Sequence, residues 1–280
     1  MSIYLAYDGS INANWIARYA VRIAANHPEK QLHVVYIEVA ETPTPELSAS
    51  MKRIEIEAEA VGVEAKLELR PMRHGVFGGL VEHIPAGPQS IVICGARVKK
   101  GRRGFLTGTV SEQLLSQRRY NVMALRVVQP GLMGLPGNVL APVSGDPEGF
   151  KVGLSMLELM APDIQRLHLL NIVESRRSPF RLKSPGHTKQ QRARAMTYIR
   201  GIEAELLDQL AIAPEYVDSH VAIADNWARE AIIQASRLHA GLMFIEAPKE
   251  SLTRRFFFSD EVERLLGNTP CDVAVYRGVV

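Results

Sequence analysis

The sequence predicts two α/β units in tandem, each a doubly wound, five-stranded parallel sheet of strand order 3-2-1-4-5. Three observations predict it: an internal repeat, a Pro- and Gly-rich seam, and short apolar runs alternating with segments of helical periodicity. The repeat carries most of the weight. Ile3 to Tyr7 ends at Asp8-Gly9-Ser10, and Val139 to Val143 ends at Ser144-Gly145-Asp146, an offset of 136. Leu32-His33-Val34-Val35-Tyr36-Ile37 matches Leu167-His168-Leu169-Leu170-Asn171-Ile172 at 135. Ser90 to Cys94 matches Gly241 to Ile245, and Val122 to Arg126 matches Val273 to Arg277, both at 151. One insertion accounts for the change of offset, and Arg176 to Arg192, basic and holding Pro179, Pro185 and Gly186, reads as an exposed loop.

The elements follow in order. The first strand ends at Asp8, and Ala13 to Ala25 places Trp15, Ile16, Tyr19, Ala20 and Ile23 at helical spacing, with Asn12 or Asn14 able to cap it. Glu46 to Val61, Gly75 to Ile84, and Ser111 to Ser116 or Arg119 are the next helices. The strands between them are short and rich in Val and Ile, as where helices cover both faces of a parallel sheet. Gln129 to Asn138 carries two prolines and three glycines, which disfavour helix and strand alike. The expected division is therefore 1–129, a linker at 130–138, and 139–280.

Composition removes other classes. Of 280 residues, 46% are hydrophobic and 22% charged, which a disordered chain would not show. No apolar run approaches the roughly 18 residues of a membrane span. The N-terminus lacks a basic region and meets Asp8 at once, unlike a signal peptide. Cys94 and Cys271 sit in or beside apolar runs, as buried thiols of a reducing compartment do, so the cytoplasm is the expected location. A net charge of +3 is too small to argue for nucleic acid.

Doubly wound sheets bind ligands at the C-terminal strand ends where the strand order reverses, here between the first and fourth strands. In the first copy that brings Asp8-Gly9-Ser10 toward Cys94-Gly95-Ala96-Arg97-Val98 and Gly108-Thr109-Val110-Ser111-Glu112. Gly95 would allow close backbone approach, and the helix start at Gly108-Thr109 offers amide groups to phosphate, with hydroxyls from Thr109 and Ser111. Arg97, Lys99, Lys100, Arg102 and Arg103 add positive charge. Asp8 could accept hydrogen bonds from a ribose or help hold a magnesium ion. His33 and His168 occupy equivalent strand positions, which points to packing rather than metal binding. His74 lies near the end of the third strand, where it could line the crevice. Trp15 and Trp227 fit helix core positions. Neither a Ser-His-Asp arrangement, a metal-ligand cluster nor a Walker sequence is legible.

These residues resemble the universal stress proteins. That family's fingerprint is Gly, two residues, Gly, nine residues, then Gly-Ser or Gly-Thr after the fourth strand. The spacing from Gly95 to Gly108-Thr109 matches it, with Val98 standing at the second glycine. The resemblance covers both halves and implies a tandem protein of two Rossmann-like units. It implies Ala6 and Val35 near an adenine, Asp8 by the ribose or metal, and Gly95, Arg97, Val98, Gly108, Thr109, Val110 and Ser111 around the phosphates. The cofactor so implied is ATP, or ADP or AMP, with or without Mg2+. At the equivalent positions the second copy carries Ser144, Glu246, Lys249, Ser259, Asp260 and Val262, with Glu261 beside them, so a single site in the first half is expected.

The family resemblance also implies a regulatory role in the stress response, at most a slow ATPase. The repeats would pair through the edges Val122 to Val127 and Val273 to Arg277 as an intramolecular pseudo-dimer, with a homodimer as a further assembly and the protein partner unknown. The alternatives are an interaction protein that binds no nucleotide and docks an acidic partner or membrane surface through its basic loops, and an ATP-dependent adenylating enzyme. The second of these lacks a catalytic constellation.

Overall fold

The structure, a computed structural model, describes residues 1–38, 44–96, 109–143, 147–174, 185–210, 212–247 and 260–279, with the side chains of 147–152, 185–187 and 260 left out. Contacts divide the chain into two units. The first comprises Met1–Leu135, Ala247–Phe258 and Ala274–Val280, the second Pro136–Glu246 and Ser259–Val273.

The first unit runs β1 (Ser2–Tyr7), α1 (Ile11–Ala25), β2 (Gln31–Glu38), α2 (Pro45–Glu59), β3 (Glu64–Pro71), α3 (Gly75–His83), β4 (Gly87–Gly95), α4 (Val110–Ser116), β5 (Tyr120–Arg126). Its strands lie in the order β3-β2-β1-β4-β5, as the sequence predicts. All are parallel, with Ala6 opposite Val35, Leu5 opposite Ile93 and Gly95 opposite Leu125. Ile3, Leu5, Leu32, Val34, Ile91 and Ile93 are fully buried, each worth about 1.5–3 kcal/mol relative to exposure. That explains the near-continuous apolar runs: the central strands have helices on both faces. The outer strand β3 is mostly half-exposed and carries the charged residues Glu64, Lys66, Glu68 and Arg70.

Helix α1 starts two residues earlier than its periodicity suggests. Ser10, not Asn12 or Asn14, is the cap, accepting from the Ala13 N–H at 3.2 Å, while Asn14 accepts from the Tyr7 hydroxyl. Ile16, Tyr19, Ala20 and Ile23 are buried, but Trp15 stays half-exposed. Thr44 caps α2, with Pro45 in the first turn, where its missing N–H costs nothing. The seam after β5 is a short 3-10 turn at Pro130–Leu132, followed by Gly134 at φ +80°. A Cβ on Gly134 would meet the Arg18–Tyr19 backbone at 2.7–2.8 Å, so this glycine is a packing requirement as well as a turn.

The second unit runs β6 (Gly137–Val143), α5 (Pro147–Met160), β7 (Ile164–Glu174), α6 (Pro185–Gln209), β8 (Val217–Ala224), α7 (Trp227–Arg237), β9 (Leu242–Glu246), α8 (Asp260–Asn268) and the first two residues of β10 (Asp272–Arg277), whose remainder belongs to the first unit. Its order, β8-β7-β6-β9, repeats β3-β2-β1-β4. The last strand begins in this unit, where the Asp272 N–H donates to the Gly241 carbonyl at 3.0 Å.

The basic insertion corrects one expectation. Residues 175–184 lie outside the described residues, but Pro185 to Arg192 are the first turns of α6, which has 25 residues against 15 in α2. Pro185, read as a loop signal, opens that helix, the one helical position where proline is favoured.

Candidate functional site

At the order reversal of the first unit, β1 is flanked by β2 and β4, the arrangement beside which doubly wound sheets take ligands. Asp8 is exposed, and its Oδ1 accepts the Ser10 N–H at 3.0 Å, an Asx turn that feeds the chain into α1. Gly9 supplies the φ of +76° this tight turn needs. Ala6 is half-buried beside the fully buried Val35. Of the remaining candidates, Arg97, Val98 and Gly108 lie outside the described residues, as does the rest of the basic run at 99–103.

The described candidates near the fourth strand each hold a place in the fold. Gly95 does not adopt positive φ; a Cβ there would meet Ile16 Cδ1 at 3.0 Å, so its small size serves packing of α1 on the sheet. Thr109 is the cap of α4, its Oγ1 accepting the Glu112 N–H at 3.2 Å. The same oxygen lies 2.9 Å from Ser111 Oγ, and both residues are buried, at 7% and 2% exposure. The two hydroxyls thus satisfy the helix start and each other. Val110 is the half-buried first residue of the helix.

In the second unit the described residues near the equivalent helix start are engaged with one another. Glu261, in the first turn of α8, accepts from Trp227 Nε1 at 2.6 Å and from Asn226 Nδ2 at 3.1 Å. Its position there also favours the positive end of the helix dipole. Val262, equivalent to Ser111, is buried at 1% exposure. Glu246 ends β9 half-buried. Ser144, Lys249 and Ser259 are outside the described residues, as is the Asp260 side chain. Trp227, expected in the core, is half-exposed because its indole N–H reaches this carboxylate.

Each unit also holds a polar cluster between its second and third strands. In the first, His33 Nδ1 lies 2.7 Å from Glu68 Oε1, while His83 Nε2 and Arg70 NH2 both meet Glu68 Oε2, the latter at 3.1 Å. Burial alone would push the Glu68 carboxyl up, but hydrogen bonds from His33, Arg70 and His83 outweigh it and hold the carboxyl below its ordinary range. Tyr4 stacks on His33 with ring centroids 4.9 Å apart.

In the second, His168 Nδ1 lies 3.2 Å from His220 Nε2 and 3.5 Å from Asp218 Oδ2. The sequence points to packing for His33 and His168, and nothing in it marks Asp218 or His220 by type and spacing beyond the alternation Asp218-Ser219-His220, whose outer residues share one face of a strand. His74 is exposed, 3.7 Å from Glu82. Cys94 is fully buried, its thiol pushed up to about 12, which makes it inert as a nucleophile.

Among the described residues, no helix is long and apolar enough to cross a membrane. Among solved structures, the chain is similar to a universal stress protein of Archaeoglobus fulgidus DSM 4304, with a TM-score of 0.62 and 14% identity over 98% of this chain and 95% of that one. It is also similar to a candidate universal stress protein of Pseudomonas aeruginosa UCBPP-PA14, with a TM-score of 0.62 and 16% identity over 98% and 92%. The cytoplasmic domain of a prokaryotic cation chloride cotransporter has a TM-score of 0.61 at 12% identity over 99% and 95%. Identities this low establish a shared fold alone. No curated protein matches the sequence. The model of the universal stress protein family matches residues 137–277, the second copy of the repeat from β6 to the end of β10. A doubly wound parallel sheet of order 3-2-1-4-5 and a family match over half the chain therefore lead to one assignment: the chain belongs to the universal stress protein family.

Proposed function

We propose that the first unit binds an adenine nucleotide, ATP or its di- or monophosphate, and that occupancy regulates a stress-linked interaction. The observation that supports this reading is the meeting of the exposed Asp8 turn with the end of β4 at the order reversal, the crevice where such sheets take ligands. The residues present fit the ribose end of a nucleotide. Asp8 keeps a carboxylate at the rim, suited to ribose hydroxyls or Mg2+, and Ala6 leaves space on its strand. At the phosphate end, Thr109 and Ser111 hold the start of α4 in place. Bound ATP would supply a charge and a conformational bias rather than a reaction, since no base is positioned for hydrolysis among the described residues.

A second reading, an interaction protein that takes no nucleotide, is favoured by the buried Thr109–Ser111 hydroxyl pair, which already satisfies the helix start that a phosphate would use. Calorimetric titration of nucleotide-stripped protein with ATP, ADP and AMP separates the two. Saturable heat with one nucleotide per chain is expected. Silence at millimolar nucleotide would overturn the first reading and leave the second.

A further inference from the structure

We infer that His168, Asp218 and His220 form a binding site for one divalent transition-metal cation of the zinc class. His168 comes from β7, and Asp218 and His220 from the neighbouring β8. In the parallel register His168 stands opposite Asp218 and Leu170 opposite His220, so all three side chains leave the same face of the sheet. One nitrogen from each imidazole and one carboxylate oxygen lie within 4.8 Å of one another.

The spacing is the strongest part of the case. A tetrahedral zinc ion with ligands at 2.0–2.1 Å holds them about 3.3 Å apart. His168 Nδ1 lies 3.2 Å from His220 Nε2 and 3.5 Å from Asp218 Oδ2, close to that edge length before any ion is added. Two imidazoles and a carboxylate are a donor set that zinc accepts, with a fourth position left for water.

His168 is buried at 5% exposure and fixed by the strand, whereas Asp218 reaches the surface and gives an ion a way in. The competing charges are Arg166, whose NH1 lies 3.1 Å from Asp218 Oδ2 and which is half-exposed and can swing aside, and Arg237, whose charge acts on His220.

The first repeat shows what the arrangement is not. There Lys66 and Glu68 take the register positions of Asp218 and His220, and one carboxylate separates His33 from His83 by bonding one with each oxygen. That is a proton-bonded cluster, whereas in the second repeat two imidazole nitrogens face each other.

The site lies in the second unit and is independent of the nucleotide reading, so either can fail alone. The test uses the full chain, stripped with chelator and titrated with Zn2+, and with Co2+ as a spectroscopic probe. One Zn2+ per chain should bind, raise the melting temperature, and give Co2+ absorption bands of imidazole coordination. His220→Gln and His168→Gln should each weaken binding about tenfold or more and remove the thermal shift. Asp218→Asn, at a half-exposed position that leaves folding intact, should also weaken it, and Arg166→Gln should tighten it. Absence of stoichiometric uptake, or uptake unchanged in Asp218→Asn and in whichever histidine variant folds, would overturn the proposal and leave an imidazole–imidazole hydrogen bond.

Discussion

Trp227 donates its indole N–H to Glu261 at 2.6 Å, tying the start of α7 to the start of α8 in the second unit. At the corresponding helix starts of the first unit stand Gly75, the first residue of α3, and Val110, the first of α4, which can form no such side-chain bond. The two copies thus differ here in a physical way: one carries a side-chain bridge between these helix starts where the other has none.

That bridge should be measurable. Trp227→Phe keeps the ring and removes the donor, and its cost should be about 1 kcal/mol, less than the 1.5–3 typical of hydrogen bonds to charged groups because the pair is partly hydrated. A double-mutant cycle with Glu261→Gln, read by urea unfolding, should return a coupling of the same size. Nucleotide binding should not change in either variant.

In the first unit, Asp8→Asn retains an oxygen for the Ser10 N–H but removes the charge. Stability should stay within about 0.5 kcal/mol, while Mg–ATP affinity drops about tenfold, near 1.4 kcal/mol. Replacing Gly108 with leucine should abolish binding, whereas the same change at Ser259 should leave it intact. Val98→Gly should tighten binding by removing a β-branched side chain from a loop that must approach phosphate. Calorimetry reads all four; unchanged affinity in Val98→Gly would place that loop away from the ligand.

Stability should fall in two stages as pH is lowered. His168 and His220 have folded values below the ordinary 6.5, so the unfolded chain takes up protons first. Their contribution is full above pH 6.5 and is lost as pH falls toward the lower folded values. Glu68 is held below the ordinary 4.5, so its contribution is full above that value and is lost as pH falls through its folded one. Denaturant unfolding across this range should show His220→Gln flattening the upper stage and Glu68→Gln the lower. A profile unchanged in both variants would show that these groups titrate alike in folded and unfolded chains.

Gly134→Ala should destabilise by more than about 2 kcal/mol, since a methyl group would strike the Arg18–Tyr19 backbone at a residue with positive φ. Gly131→Ala, with nothing within 4 Å of its Cβ, is the control and should cost less than about 1 kcal/mol. Thermal melts of the two variants suffice.

Much of the fold is legible in the sequence because it is written locally. Strands β1, β2, β4 and β5 are apolar runs bounded by turn residues, and α1 to α4 follow the 3.6-residue period or a glycine or hydroxyl start, with ends within about two residues of expectation. What fails locally is informative. Ser10 outcompetes Asn12 and Asn14 as a cap because the Asp8 turn presents it to α1. Pro185 opens a helix because proline is compatible with both a loop and a first turn, and sequence alone cannot weigh the two.

The repeat, the paired α/β units and their alternating elements can be read from the residues alone. Periodicity and turn chemistry are properties of neighbouring residues, so one chain suffices to read them. Only the tertiary structure decided what side chains distant in sequence do to one another. It set Gly95 against Ile16 and Trp227 against Glu261. It also brought His168 against Asp218 and His220, some fifty residues away. These pairings depend on register across strands and on helix docking, and a one-residue shift in either would dissolve them.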